Sequence, residues 1–584
     1  MITINQLSFS FPEKELFKEV SFSIEEKQHC AFIGTSGSGK STLVTIIMDP
    51  DRYMYDGSVE MSPDLRMGYI SQFLEKNKTT DMTVFQYIAE PFLKCQQDID
   101  TLAHAMATAI EIEPLLEKYQ EALDAFEAID GHDYELNIQK KLNLAGLSKL
   151  RDLSIFDISG GEFKLVQVIK EMLLSPDLII MDEPDVFLDF ENLNALRMLI
   201  NAHKGMMLVI THNRYLLQHC FNKIIHLENK EIQEFEGNYI DYNFSLLETK
   251  IETMELSIAD DEEIERNQVL IDKLRFIATY NSEASRGKSL KARVKIQERL
   301  EARRIKAPFV AIKKPNITLT ADPELAADIA LSVNNYSVAF DEPLLENVTF
   351  EIGATDKVAL IGANGTGKTT LLRDLYRQAK GTKESIVFHE DATLAYLSQM
   401  QSEVLDASTT LLDAFFDMGF KTSQAIKAYV QGFGFDEGFL EKKLDALSGG
   451  EKNILQLALI SASKANFLLL DEPTSHLDTY AQVALEEAIS NYNGALLMIS
   501  HDYYTIANCV DYVLLIENKT VRKMSLRKFR KMIYANHFNK YYLEMEQNKK
   551  ALELKIEMAL KQKDFETAKI IVRELEDVIK LMSV

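Results

Sequence analysis

The feature that most limits what this chain can fold into is that it repeats itself. GTSGSGKST at 34–42 returns as GANGTGKTT at 362–370, SGGE at 159–162 returns at 448–451, LIIMDEP at 178–184 as FLLLDEP at 467–473, and ITHN at 210–213 as ISHD at 499–502. The last three pairs share one offset of 289 residues, read from Ser159 to Ser448, Asp182 to Asp471 and His212 to His501. Equal offsets across three different motifs mark a tandem duplication. The offset between Gln72 and Gln399 is 327, so the first copy carries 38 additional residues before its SGGE, in the Glu/Ala/Leu-rich helical stretch around 97–140.

Each copy opens on alternating apolar residues, ITINQLSFSF and IALSVNNYSVAF, with the period of a strand. An apolar strand, a glycine loop and a helix follow, which predicts βαβ units and a mostly parallel sheet. The expected fold is α/β, with a first domain at 1–240, a helical linker at 241–322, a second domain at 323–536 and a helical extension at 537–584. The stretch 241–307 is charged and nearly free of Gly and Pro, and predicts two antiparallel helices around a loop near Tyr280–Gly287. The four cysteines, Cys30, Cys95, Cys220 and Cys509, are scattered without CxxC spacing, which excludes zinc ribbons, iron–sulfur clusters and a disulfide scaffold and fits a reducing compartment. The first residues carry no signal-peptide pattern, and no uncharged apolar run reaches the roughly 18 residues of a membrane span. The expectation is a cytoplasmic protein that does not touch the membrane.

The repeated motifs carry phosphate chemistry. GxxxxGK[ST] is a phosphate-binding loop, here Gly34, Thr35, Ser36, Gly37, Ser38, Gly39, Lys40, Ser41 and Thr42, and again Gly362, Ala363, Asn364, Gly365, Thr366, Gly367, Lys368, Thr369 and Thr370. Its glycines let backbone N–H groups turn inward around phosphates, and the helix that follows favours the anion. The lysine reaches the β/γ oxygens, and the hydroxyl of Ser41 or Thr369 holds Mg²⁺, so ATP and Mg²⁺ are the expected cofactors. An apolar strand ending in Asp-Glu places Asp182 and Asp471 as Mg²⁺ ligands through water, and Glu183 and Glu472 as general bases on the attacking water. His212 and His501, each 30 residues past the aspartate, are expected to contact the γ-phosphate. Gln72 and Gln399 end the YISQ and YLSQ strands and are expected to sense both the γ-phosphate and Mg²⁺.

Ser159, Gly160, Gly161 and Ser448, Gly449, Gly450 open helices, with a capping serine and exposed N–H groups, as a second anion site. A phosphate loop together with this motif resembles an ATP-binding cassette (ABC) domain. The resemblance implies two cassettes that sandwich two ATPs head to tail. One composite site would combine Lys40, Gln72, Asp182, Glu183 and His212 with Ser448–Gly450, and the other Lys368, Gln399, Asp471, Glu472 and His501 with Ser159–Gly161. It also implies that Asp189 and Asp478 couple the sites, and that Phe11 and Phe340 stack on adenine, although either ring could equally belong to a core. The copies differ: DEPTSHLD in the second is DEPDVFLD in the first, and Asn213 stands where Asp502 does. Both hydrolytic sets are complete, so two competent but unequal sites are expected.

The formal charge of −25 argues against nucleic acid until it is resolved by position. From Arg286 to Lys306 there are nine bases against two acids, and from Asn518 to Leu543 eight bases and no acid, with Phe529, Tyr534, Phe538 and Tyr541 interleaved among them. The remaining chain is correspondingly more acidic. Clustered bases on a projecting hairpin are an electrostatic footprint for RNA, with Arg286, Lys288, Lys291, Arg293 and Lys295 as the candidate contacts. Two cassettes, no membrane domain and a charged linker of roughly 80 residues resemble the ABC-F family. That resemblance implies a monomer whose cassettes pair intramolecularly and bind the ribosome, both rRNA and tRNA, in the ATP-bound state. Hydrolysis then releases it, and its role is to tune translation or to protect the ribosome from antibiotics. The rival reading, an ATPase energising a separate membrane exporter, leaves the basic linker unexplained. A DNA-repair ATPase would need a longer coiled coil or zinc-binding cysteines, and a dead scaffold would not keep the glutamates and histidines.

Overall fold

The computed structural model describes residues 1–12, 14–72, 81–108, 112–186, 188–280, 293–297, 299–300, 315–340, 343–378, 385–399, 408–537 and 542–582. It forms two compact units: Met1–Glu236 with Lys314–His537, and Gly237–Lys313 with Phe538–Val584.

The first unit contains one architecture twice. Six strands run in the order Met67–Ile70, Leu178–Asp182, Met206–Ile210, His29–Gly34, Lys223–Glu228, Glu231–Glu236, and the second copy repeats the order with Leu394–Leu397, Phe467–Asp471, Ala495–Ile499, Lys357–Ile361, Tyr512–Glu517, Thr520–Ser525. The first five strands of each sheet are parallel and the sixth is antiparallel. Leu178–Asp182 and Met206–Ile210 are buried at every position, as continuous apolar runs in a parallel sheet covered on both faces must be. The alternating segments form strands, but in a separate antiparallel sheet: Ile2–Phe11 lies between Lys14–Ile24 and Asp56–Met61, and Ile329–Ala339 between Pro343–Gly353 and Ile386–Phe388. Their two-residue period buries one face only.

Register positions the chemistry. Asp182 lies opposite Ile210 and Asp471 opposite Ile499, so Glu183 and His212, or Glu472 and His501, emerge together at the carboxyl edge of each sheet. The additional residues of the first copy lengthen its helical layer. Val84–Thr108, Glu113–Ala128 and Tyr134–Leu144 stand there, whereas the second copy has Leu411–Asp417 and Ser423–Gln431.

In the second unit, one helix runs from Tyr239 to Tyr280. Buried Asn267 donates to Gln297 Oε1 (2.7 Å) and to the Arg293 carbonyl (3.2 Å), which sets the returning segment against it. The loop expected near Tyr280–Gly287 lies, beyond Tyr280, outside the described residues, as do Arg286, Lys288 and Lys291; Arg293 and Lys295 are exposed. The C-terminal segment forms helices Tyr542–Lys561 and Phe565–Met582. Their apolar faces (Ile556, Leu560, Val572, Leu575, Ile579) bury against Ile240 and Ile251 at the start of the long helix, and Lys569 pairs with Glu255 at 2.6 Å. This gives the apolar spacing of the extension a partner that its sequence does not name.

Half-buried histidines make the fold acid-sensitive. Burial, then Arg197, holds His219 down to about 4, and burial, then His29 and Lys141, does the same to His203. Between an unfolded value of ~6.5 and the native value, the unfolded state binds more protons, so stability present above pH 6.5 is lost as the pH falls toward 4. His219 alone contributes a loss of about 2 kcal/mol at pH 5, and the more exposed His203 adds less. Thermal melts at pH 7.5 and 5.0 should show a lower midpoint at pH 5, with a smaller drop in a His219→Gln variant. Identical midpoints for the unmodified chain would refute the assignment.

Candidate nucleotide sites between the two cassettes

Each phosphate loop is preformed. Gly37 and Gly39 have φ of 74° and 104°, and Gly365 and Gly367 of 78° and 96°, a region that admits glycine without strain. A Cβ on Gly367 would also press to 3.0 Å from Leu344. Lys40 Nζ donates to the carbonyls of Gly34 (2.9 Å) and Thr35 (3.0 Å), and Lys368 Nζ to those of Gly362 (2.8 Å) and Ala363 (2.9 Å). Both lysines are buried, and burial lowers both from the ordinary ammonium value.

The SGGE segments begin helices through reciprocal caps. Ser159 Oγ accepts from Glu162 N (3.2 Å) while Glu162 Oε2 accepts from Ser159 N (2.8 Å), and Ser448 and Glu451 repeat this at 3.3 and 2.8 Å. The glycines stand in the first turn of each helix. A cavity of about 560 Å³ is lined by Ser159, Gly160 and Gly161 of one cassette and by Lys368, Thr369 and Gln399 of the other. On the opposite side, a Cβ on Gly450 would lie 2.5 Å from Ser36 Oγ, so Ser448–Gly450 abuts the first phosphate loop. The two cassettes therefore pair head to tail. Asp478 Oδ2 accepts from Ser36 N (3.2 Å) and Asp189 Oδ2 from Asn364 N (3.1 Å), each reaching the opposite phosphate loop while its other oxygen caps its own helix.

The acidic residues are set differently in the two sites. Glu183 Oε2 accepts from Gln72 Nε2 (2.6 Å) and from His476 Nδ1 (3.1 Å), a side chain of the other cassette. His476 Nδ1 also lies 3.2 Å from Gln72 Nε2, so the three side chains meet at one point, and His476 donates to the carboxylate in the tautomer protonated on Nδ1. Burial pushes the Glu183 carboxyl up, but the His476 bond and the nearby His212, His476 and Lys40 charges together outweigh it and hold it at about 2. Glu472 bonds within its own cassette, to His501 N at 3.2 Å, and burial beside Asp471 raises it to about 8. Burial, then Lys40, lowers His212 to about 4, and burial, then Lys368, lowers His501 to about 3, so both imidazoles are neutral. Thr369 Oγ1 donates to Asp471 Oδ1 at 3.4 Å, and a bond from Ser41 opposes the burial that raises Asp182.

Of the expected adenine rings, Phe11 packs edge-on to Phe9 (5.0 Å) and Tyr53 (6.3 Å) and stays partly exposed, and Phe340 is largely exposed; neither lines the cavity. Three contacts escaped motif reading. His476 is one. Arg214, another, crosses to the second cassette, pairing with Glu486 and with Asp502 (2.7 Å) under the Tyr504 ring. This explains why Asp502 is acidic where its counterpart Asn213 only caps a helix. Buried Lys164 donates to the Ser71 and Gln72 carbonyls, but Asn453, 289 residues later, holds Pro473 (3.1 Å) and Ser475 (2.8 Å) instead. The differences between the copies were the available signal for all three. In the second basic island, Phe529 does not interleave with the bases on the surface. It is fully buried against Phe190 and Tyr503, and Arg530 caps the Ala507 carbonyl, leaving Arg527, Lys528 and Lys531 exposed.

The family model described as ABC transporter matches residues 17–186 and 345–475, more than half of the chain. The energy-dependent translational throttle protein EttA of Haemophilus influenzae is 28% identical over 86% of this chain and 89% of its own. ABC transporter F family member 2 of Arabidopsis thaliana is 28% identical over 96% of this chain and 81% of its own. Among solved structures, RNase-L Inhibitor superposes with a TM-score of 0.53 at 17% identity, covering 91% of this chain and 92% of its own. A model of ribosome-bound archaeal Pelota and ABCE1 gives 0.54 at 15%, covering 91% and 80%; at these identities both show the fold alone. No helix among the described residues is long and apolar enough to cross a membrane. The chain belongs to the ABC transporter family, as a tandem two-cassette ATPase whose curated relatives include ABC-F members.

Proposed function

We propose that this chain is a cytoplasmic ATPase that binds the ribosome with its cassettes closed on ATP, modulates translation or protects the ribosome from antibiotics, and is released by hydrolysis. The observation that carries this reading is likeness along most of the chain to a protein named as a translational throttle. Lys40 and Lys368 bind the phosphates, Ser448–Gly450 and Ser159–Gly161 close each site from the other cassette, and His212 and His501 contact the γ-phosphate. The oxygens of Ser41 with Asp182, and of Thr369 with Asp471, suit a hard cation, and Gln72 and Gln399 sense it. Mg²⁺ bound there would neutralise charge developing between the β- and γ-phosphates. Glu183 and Glu472 take the proton of the attacking water. Phe11 and Phe340 remain our candidates for stacking on adenine. Tethered cassettes meet at high effective concentration, so ATP bridging biases a closed state that hydrolysis undoes. The basic linker residues and the exposed Arg527, Lys528 and Lys531 contact rRNA or tRNA backbones.

The test is co-sedimentation of a Glu183→Gln/Glu472→Gln double mutant with ribosomes. It should pellet with them in ATP and stay in the supernatant in ADP. Absence from ribosomes together with recovery on membranes would favour the exporter reading.

A further inference from the structure

We infer that His476 of the second cassette is a positioning residue for the general base of the first site, so that turnover by Glu183 depends on a side chain the second site has no counterpart for. The inference rests on the reading of Glu183 as that base. The loop carrying His476 reaches one site at two points: Asp478 takes the N–H of Ser36 in the phosphate loop, and two residues earlier His476 Nδ1 bonds Glu183 Oε2 at 3.1 Å. Gln72 Nε2 bonds the same oxygen at 2.6 Å, so side chains from both cassettes converge on one carboxylate oxygen and fix its orientation. Such a bond forms only when the cassettes are closed, which ties orientation of the base to closure.

Two further observations show that the loop is built to hold this geometry. His476 has φ of 59°, a left-handed conformation rare for a residue with a Cβ and one that surrounding structure must enforce. Asn453 supplies the enforcement by donating to the Pro473 and Ser475 carbonyls on the approach to His476. The first cassette has neither feature in its sequence: Lys164 stands at the place of Asn453, and Phe187, with no donor or acceptor, at the place of His476. Glu472 makes its bond to His501 inside its own cassette.

Steady-state ATP hydrolysis tests this in two backgrounds. With Glu472→Gln, where the first site carries turnover, His476→Ala should lower kcat at least tenfold while KM for ATP stays within about twofold. His476→Asn, which can place an amide N–H near Nδ1, should restore several-fold over Ala, and His476→Gln, which places it near Nε2, should not. With Glu183→Gln, where the second site carries turnover, the loss from His476→Ala should be at least tenfold smaller. Thermal melting of each variant separates unfolding from loss of positioning. Unchanged kcat in the Glu472→Gln background, equal losses in both backgrounds, or Asn behaving like Gln would each overturn the inference. A Glu183→Gln enzyme with undiminished turnover removes the reading beneath it, a result distinct from all of these.

Discussion

Replacing Glu183 and Glu472 together by Gln should lower ATP turnover by about a hundredfold or more, the range in which a positioned general base acts. Nucleotide binding should survive, because the lysines and phosphate loops are untouched. The single variants should differ, with Glu183→Gln removing the larger share. Glu183 is already oriented by two donors, Gln72 and His476, at 2.6 and 3.1 Å. Glu472 is buried beside Asp471, and its Oε1 lies 3.5 Å from His501 Nε2 without a hydrogen bond among the described residues. A side chain that must reorient or shed a proton before it can accept one contributes less to turnover. Single-turnover and steady-state hydrolysis by both variants provide the measurement. Equal residual rates would remove the asymmetry, and unchanged turnover in either variant would remove that glutamate from the mechanism.

Much of this arrangement was legible in the sequence because the chemistry sits in short contiguous motifs, and the motifs occur twice. Apolar strand, glycine loop and Asp-Glu terminus specify local geometry by themselves. The equal offsets required both copies to share a fold, which the identical strand orders show. The excess of 38 residues located the longer helical layer for the same reason. Pairings of side chains far apart in sequence were not legible. His476 and Glu183 are separated by 293 positions and Arg214 and Asp502 by 288, and nothing local in either residue names its partner. Their signal was negative: each lies where the copies disagree, at 185–187 against 474–476 and at 213–214 against 502–503. A duplicated sequence fixes what the halves share, and where it diverges it marks positions at which the halves touch each other unequally. Phe529 shows the opposite failure, because an aromatic interleaved with lysines and arginines reads as part of the basic surface until its burial is known.

Reversing the linker charge should uncouple the ribosome from the ATPase. In a variant with Arg286, Lys288, Lys291 and Arg293 changed to Glu, affinity for ribosomes should fall by about a hundredfold to a thousandfold, because each basic contact to a phosphate releases roughly one counterion. The slope of log affinity against log salt should flatten by about three for the same reason. Basal ATP turnover should stay within about twofold, since none of the four belongs to a phosphate loop or to a hydrolytic motif. The size of the effect follows from where the charge sits. The chain carries −25 overall, and an acidic body adds repulsion that a few concentrated bases must overcome. Removing those bases leaves only the smaller attraction of Arg527, Lys528 and Lys531, so loss should be steeper than for scattered lysines on a neutral protein. Arg527→Glu/Lys528→Glu/Lys531→Glu provides the comparison, with a smaller loss expected from three exposed bases on one helix. Ribosome binding unaffected by both sets, at low and at physiological salt, would mean that contact runs through other surfaces, and the electrostatic account of the linker would fall.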